Sequence, residues 1–130
     1  MRALVVSAGG GERRRADVLE ETLLVRVRAY VQQHLTDPGL TPAAIAAAHN
    51  VSVRQLYRAF EQAGSGVEQW VIQRRLAAAR AQLISPAGRR RSIAATARAH
   101  GFADPSHFTR RFKDAYGMSP REWQRTATTG

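Results

Sequence analysis

The chain repeats itself, and this repeat constrains the fold more than any other feature of the sequence. At an offset of 51 residues Ala44 pairs with Ala95, Ala48 with Ala99 and His49 with His100. The offset then slips to 52, pairing Leu56 with Phe108, Arg58 with Arg110 and Phe60 with Phe112, and finally to 53, pairing Gly64 with Gly117 and Trp70 with Trp123. The slips fall at a turn and at a helix end, where an inserted residue disturbs little packing. A chain of 130 residues has room for two copies of one small unit and not for a large catalytic cleft.

Each copy carries helix signals in the same order. In the first, Thr41 is an N-cap with Pro42 at the first helical position, and an alanine-rich helix runs to Ala48. His49-Asn50-Val51 breaks it, and Ser52 caps a second helix that turns Val53, Leu56 and Phe60 inward before stopping at Gly64. In the second copy Ser92 caps a short helix to about His100, Gly101 supplies the turn, and Asp104-Pro105 opens a helix with Phe108 and Phe112 inward, ending at Tyr116-Gly117. Between the copies, Val67, Trp70, Val71, Leu76, Ala79 and Leu83 mark a linker helix of roughly 17 residues, about 26 Å long, which ends before Ser85-Pro86-Ala87-Gly88. Ahead of them, Leu19, Leu23, Val27, Tyr30, Val31 and Leu35 form one face of a helix starting at Val18, and Ser119-Pro120 starts a last short helix with Trp123. The expected fold is all-α, two tandem helix-turn-helix subdomains joined by a long linker helix, about seven helices in all. The expected units are a flexible lead-in or linker remnant over 1–17, holding Gly9, Gly10 and Gly11, and a body over 18–126. The body divides into a first unit 18–66, a linker helix 67–84 and a second unit 89–126.

The formal net charge is +10, and it sits in the body. Residues 1–40 hold six Arg against five acids, whereas residues 41–125 hold fourteen Arg and Lys against five acids. A surface this basic attracts polyanions and releases their counterions, so nucleic acid is the first partner to expect. A membrane reading needs a long apolar stretch or a basic helix with a bulky apolar face, and the sequence has neither. Ala3 to Ala8 is too short for a signal-peptide core. Cysteine is absent, which excludes disulfides and thiolate metal sites and fits a reducing cytoplasm.

The outward faces of the two second helices give the charge a purpose. The first copy presents Arg54, Gln55, Tyr57 and Arg58, and the second Ser106, His107, Arg110 and Arg111. Arg can fork onto guanine, Gln onto adenine, and hydroxyl or imidazole groups onto base edges or phosphate. A solvated polar face on a small bundle is the plainer explanation for one such helix, but the same arginine recurring in both copies weighs against it. Successive major grooves on one face of B-DNA repeat at roughly 34 Å, a spacing that a linker of about 26 Å with its flanking turns can span. One monomer reading an asymmetric site of two adjacent grooves is the expectation.

The stretch Ile93 to Pro120, reading IAATARAHGFADPSHFTRRFKDAYGMSP, closely resembles the C-terminal signature of the AraC/XylS family of bacterial transcription regulators. Gly101-Phe102, Ser106-His107-Phe108, Arg110, Phe112-Lys113, Gly117 and Ser119-Pro120 carry the resemblance, Ala43 to Phe60 fits the family's more variable first motif, and the match covers about residues 20–125. The resemblance implies two helix-turn-helix units with both recognition helices in the major groove of double-stranded DNA, and RNA polymerase recruited nearby. By position it implies base contacts at Arg54, Tyr57, Arg58, Ser106, His107 and Arg110, and phosphate contacts at Ser52, Gln55, Arg111 and Lys113, which orient without specifying. The sequence departs from the family pattern at Thr96, where an apolar residue is usual, and at Gln124, where an arginine is common. A looser second unit and a lost backbone contact are the expected results. Family members usually carry a larger N-terminal sensor or dimerisation domain; an excised domain, a truncated product and a stand-alone regulator all fit this chain.

No cofactor, metal or catalytic residue is expected. The best catalytic pair on offer is His107 with Asp104, and Asp104 reads better as a helix-start residue beside Pro105. His49 and His100 occupy equivalent turn positions, His34 suits the C-terminal end of a helix, and Trp70 and Trp123 fit apolar helical patterns rather than a single-strand stacking platform. A protein-interaction role for the first helix, with Glu20 and Glu21, is compatible with DNA binding.

Overall fold

Capping residues and turn glycines place most of the helix ends. The computed structural model describes residues 2–129, with side chains over 11–127, and among them are eight helices and no strand. These are α1 (Arg2–Gln33), α2 (Pro42–Ala48), α3 (Val53–Gln62), α4 (Val67–Leu83), α5 (Pro86–Arg89), α6 (Ile93–Ala99), α7 (Pro105–Tyr116) and α8 (Pro120–Thr129). The side chains of Thr41, Ser52, Ser92 and Asp104 each accept a backbone N–H of the helix they precede, which satisfies donors that the first turn leaves open.

Two elements differ from the expectation. Helix α1 begins at Arg2, so residues 2–17, expected as a flexible lead-in, are helical. No proline interrupts them, and glycine weakens a helix without stopping it. Side chains 12–19 are exposed, and packing on the core begins with Leu23 and Leu24. The stretch Ser85 to Gly88, expected as the break after the linker helix, opens the extra helix α5. Ser85 Oγ donates to the Gln82 carbonyl at 2.6 Å and accepts the Gly88 N–H at 3.0 Å. A Cβ on Gly88 would collide with that same carbonyl, so only glycine lets α5 fold back on α4.

The linker helix belongs to two cores. Val67 and Val71 join Val27, Val31, Leu35, Leu40, Ile45, Leu56 and Phe60 in one. Leu76, Ala79 and Leu83 join Ala97, Phe102, Phe108 and Phe112 in the other. At roughly 100° of rotation per residue the two sets of α4 positions face directions roughly 130° apart. Each unit therefore packs on its own side of one shared helix. The second core is aromatic, with Phe102, Phe108, Phe112 and Tyr116 in an unbroken chain of ring contacts between 4.8 and 5.7 Å.

Between the two α4 faces lies Arg75, only 9% exposed. Its Nε donates to the Leu35 carbonyl at 2.9 Å and its Nη2 to the Asp37 carbonyl at 2.7 Å, so it ties down the turn that follows α1, where the Asp37 carbonyl also accepts the Leu40 N–H at 3.1 Å. Burial pushes its proton affinity below the ordinary value, and the charge of Asp37 opposes that shift. Gly101, from the turn of the second unit, presses on the same spot: a Cβ there would stand 2.8 Å from Arg75 Nε and 3.1 Å from the Leu35 carbonyl. Arg75 thus joins the end of α1, the linker and the second unit's turn.

Candidate nucleic-acid interface

The two turns share three backbone hydrogen bonds, and the second adds one from the His100 N–H to the Thr96 carbonyl at 3.2 Å. In the first, the N–H groups of His49 and Val51 reach the Ala46 carbonyl at 3.1 Å and that of Asn50 reaches Ala47 at 3.2 Å. In the second, those of His100 and Phe102 reach Ala97 at 3.1 and 3.0 Å, and that of Gly101 reaches Arg98 at 3.2 Å. Each histidine also donates its Nδ1–H to the carbonyl four residues back, Ile45 at 2.8 Å and Thr96 at 2.9 Å. These bonds make both histidines helix C-caps, as their turn positions suggested. The next residue is left-handed in both units, Asn50 at φ 55° and Gly101 at φ 88°. Asn tolerates that conformation; position 101 also needs glycine because Arg75 leaves no room for a side chain.

This turn sets α3 across α2 and α7 across α6, each with one face buried. On α3, Leu56, Ala59 and Phe60 are buried, while Arg54, Gln55, Tyr57 and Arg58 are exposed. On α7, Phe108 and Phe112 are buried, Ser106, Arg110 and Lys113 are exposed, and His107 and Arg111 are half-buried. His107 rests near the Phe102 ring, 6.3 Å between centroids. Ser106, Arg110 and Lys113 also line a groove with Ile93, Ala94, Pro105 and Thr109, between α6 and α7. The suggested base-contact residues therefore gather on one exposed face per unit, around arginines that share one repeat position.

The two remaining residues of the suggested phosphate set have local duties. Ser52 Oγ accepts the Gln55 N–H at 3.0 Å, and Gln55 Oε1 accepts the Ser52 N–H at 3.0 Å. This reciprocal capping box occupies the Gln55 oxygen and leaves its amide hydrogens as the donors it could offer. Asp104 likewise spends Oδ1 on the Ser106 N–H at 2.9 Å, a helix-capping role. Among the described residues no cluster of His, Cys, Asp and Glu could hold a metal ion, and no helix is long and apolar enough to cross a membrane.

Several contacts were not legible in the sequence. Tyr57 donates its O–H to Glu68 Oε1 on α4 at 3.0 Å, and this hydrogen bond, followed by desolvation and the charge of Glu68, raises the phenol's proton affinity. Trp70 and Trp123 are half-buried, packed against the first and second cores as their apolar patterns suggest, and also carry guanidinium groups. Arg28 and Arg74 lie 5.6 and 5.9 Å from the Trp70 ring centre, and Arg80 lies 4.4 Å from that of Trp123 and 4.6 Å from that of Tyr116. Gln124, where a lost contact was expected, donates to the Leu83 carbonyl at 2.8 Å, beside a bond from Trp123 Nε1 to the Arg80 carbonyl at 2.9 Å. These two bonds fasten α8 to the end of the linker.

The Helix-turn-helix domain family matches residues 45–126. The chain is 36% identical over 105 residues to the transcriptional activator NphR of a Rhodococcus species, covering 81% of this chain and 30% of that protein. It is 30% identical over 104 residues to the transcriptional activator RhrA of Rhizobium meliloti (strain 1021), covering 80% and 33%. The chain thus spans about a third of the length of these curated relatives. Among solved structures, it is similar to the C-terminal domain of the response regulator AraT from Geobacillus stearothermophilus, with TM-score 0.74 and 30% identity over 80% of this chain and 84% of that one. It is also similar to a transcriptional regulator with an AraC-type DNA-binding domain from Chromobacterium violaceum, with TM-score 0.73 and 27% identity over 82% and 93%.

Proposed function

The chain belongs to the AraC/XylS family of helix-turn-helix transcription regulators, and from that premise we propose that it binds double-stranded DNA sequence-specifically, with α3 and α7 in two successive major grooves. The observation that carries this reading is the pair of exposed arginines, Arg58 and Arg110, at one repeat position on the open faces of the helices that follow two turns sharing three backbone hydrogen bonds. Arg54, Tyr57, Arg58, Ser106, His107 and Arg110 read base edges. Ser52, Gln55, Arg111 and Lys113 hold phosphates and fix the register.

Further partners belong to the same proposal. Relatives named as transcriptional activators support RNA polymerase as a second partner, and their greater length supports a further domain in the complete regulator. The bacterial cytoplasm is where such a protein meets its operator. Exposed Val18, Leu19 and Val25 on α1 favour a protein contact on that helix, which would act alongside DNA binding.

The test is selection of bound double-stranded fragments from a random pool at about 0.15 M salt, close to physiological ionic strength, repeated with Arg58→Ala and Arg110→Ala. Two differing boxes about one helical turn apart are expected, each variant blurring one base position at a cost of about 1 to 3 kcal/mol. Losses equal on selected and random DNA would remove the base-reading role.

A further inference from the structure

Tyr57 and Glu68 come from different elements and meet beside the open face of the first recognition helix. Tyr57 and Arg58 lie three and four residues after Arg54, so all three side chains share one stripe of α3, and Tyr57 is 39% exposed. Glu68 is anchored in the first turn of α4 between the buried Val67 and Val71, where the helix N-terminus favours a carboxylate. A phenol owns one O–H and two acceptor lone pairs, whereas a carboxylate only accepts. The 3.0 Å bond between them therefore commits the phenol's single proton to Glu68. What Tyr57 has left for DNA is lone pairs.

Resting on the reading that the open face of α3 meets base edges, we infer that Glu68 sets the base preference of the first unit by holding Tyr57 as a hydrogen-bond acceptor. In the major groove the amino groups of cytosine and adenine are donors, whereas guanine O6 and thymine O4 are acceptors. An acceptor-only phenol pairs with the first two and faces lone pair against lone pair with the others. The Glu68 carboxylate, itself acceptor-only, adds to the rejection of guanine and thymine. A tyrosine without this partner would turn its O–H either way and discriminate poorly. Glu68 is thus a positioning residue for specificity, acting through Tyr57 from the linker helix.

The experiment uses the full chain and its selected operator, with each base position randomised in turn and bound fragments sequenced for the wild type, Glu68→Ala, Tyr57→Phe and Arg58→Ala. One position in the first box should favour cytosine or adenine by about two- to tenfold, the range of one hydrogen bond. Tyr57→Phe should erase that preference. Glu68→Ala should flatten it so that guanine and thymine are admitted at the same position. Both residues are exposed, so the variants should remain folded with only a small loss of thermal stability from the lost bond and helix-end charge, and the readout is base choice rather than folding. Retention of the preference in Glu68→Ala, or a wild-type preference for guanine or thymine at the position that Tyr57→Phe erases, would overturn the inference. If Arg58→Ala still alters its own base position, only the role of Glu68 is lost. If none of the three variants alters any position, α3 does not read bases and the functional reading fails with it.

Discussion

Replacing Gly101 by alanine tests whether Arg75 joins the two units. The backbone at 101 sits at φ 88°, which costs an L-residue about 1 kcal/mol. The added methyl would also stand 2.8 Å from Arg75 Nε and 3.1 Å from the Leu35 carbonyl, so the guanidinium must move. Its bond to Leu35 at 2.9 Å then weakens, and the neighbouring bond to Asp37 at 2.7 Å shifts with it. Hydrogen bonds from charged donors contribute about 1.5 to 3 kcal/mol each, so losing the better part of one gives a total near 3 kcal/mol for Gly101→Ala. Gly117→Ala is the control: it has the same handedness, φ 75°, but a Cβ there meets nothing within 4 Å, so about 1 kcal/mol is expected. Urea unfolding at neutral pH measures both through the midpoint at constant slope. In an Arg75→Ala background, Gly101→Ala should fall back to about 1 kcal/mol, the methyl then having room except at the Leu35 carbonyl. Equal losses for the two glycine variants would refute the reasoning, as would a Gly101→Ala cost unchanged when Arg75 is absent.

Other variants probe single features. Thr96 is fully buried and its hydroxyl has no hydrogen-bond partner, so Thr96→Val should raise stability by about 1 kcal/mol; a loss on urea unfolding would mean the hydroxyl is satisfied in solution. Glu122 is held below the ordinary carboxylate range first by the Ser119 backbone N–H and then by the Ser119 hydroxyl. A depressed folded value means that the contribution is complete above the unfolded value of about 4.3 and is lost as pH falls through that range to the folded value. Thermal melts of Glu122→Gln should therefore depend less steeply on pH in that acid window than those of the parent, and parallel curves would refute the assignment. Lys113, exposed beside the groove between α6 and α7, should on change to alanine weaken specific and random DNA binding alike and reduce the salt slope by roughly one unit; an unchanged slope would remove it from the phosphate contacts.

Most of the fold was legible because its signals are local. Thr41, Ser52, Ser92 and Asp104 cap their own helices through hydroxyl or carboxylate oxygens two or three residues from the N–H they accept. The repeat fixed the order of elements, and spacings of three and four separated Leu56, Phe60, Phe108 and Phe112 from the exposed arginines, since helical period alone decides which side chains share a face. Residues 2–17 and the α5 turn differ from the local pattern for the opposite reason. Runs of glycine and a Ser-Pro pair mark breaks only by tendency, and the Gly88 contact with Gln82 that seats α5 depends on how the chain folds back.

The remaining contacts join residues that sequence separation hides. Arg75 meets Leu35 and Asp37 across 40 and 38 positions, Gln124 meets Leu83 across 41, and Tyr57 meets Glu68 across 11 and between two helices. A lone arginine in an arginine-rich helix and a lone glutamate in a first turn look like solvated charges until packing shows what faces them. The sequence by itself determined two helix-turn-helix units, their caps and their open basic faces, because period and capping act over three or four residues. Only the tertiary structure decided how the units are held together and which hydrogen-bond roles the first recognition helix has left to offer, because burial and partner geometry exist only after distant segments meet.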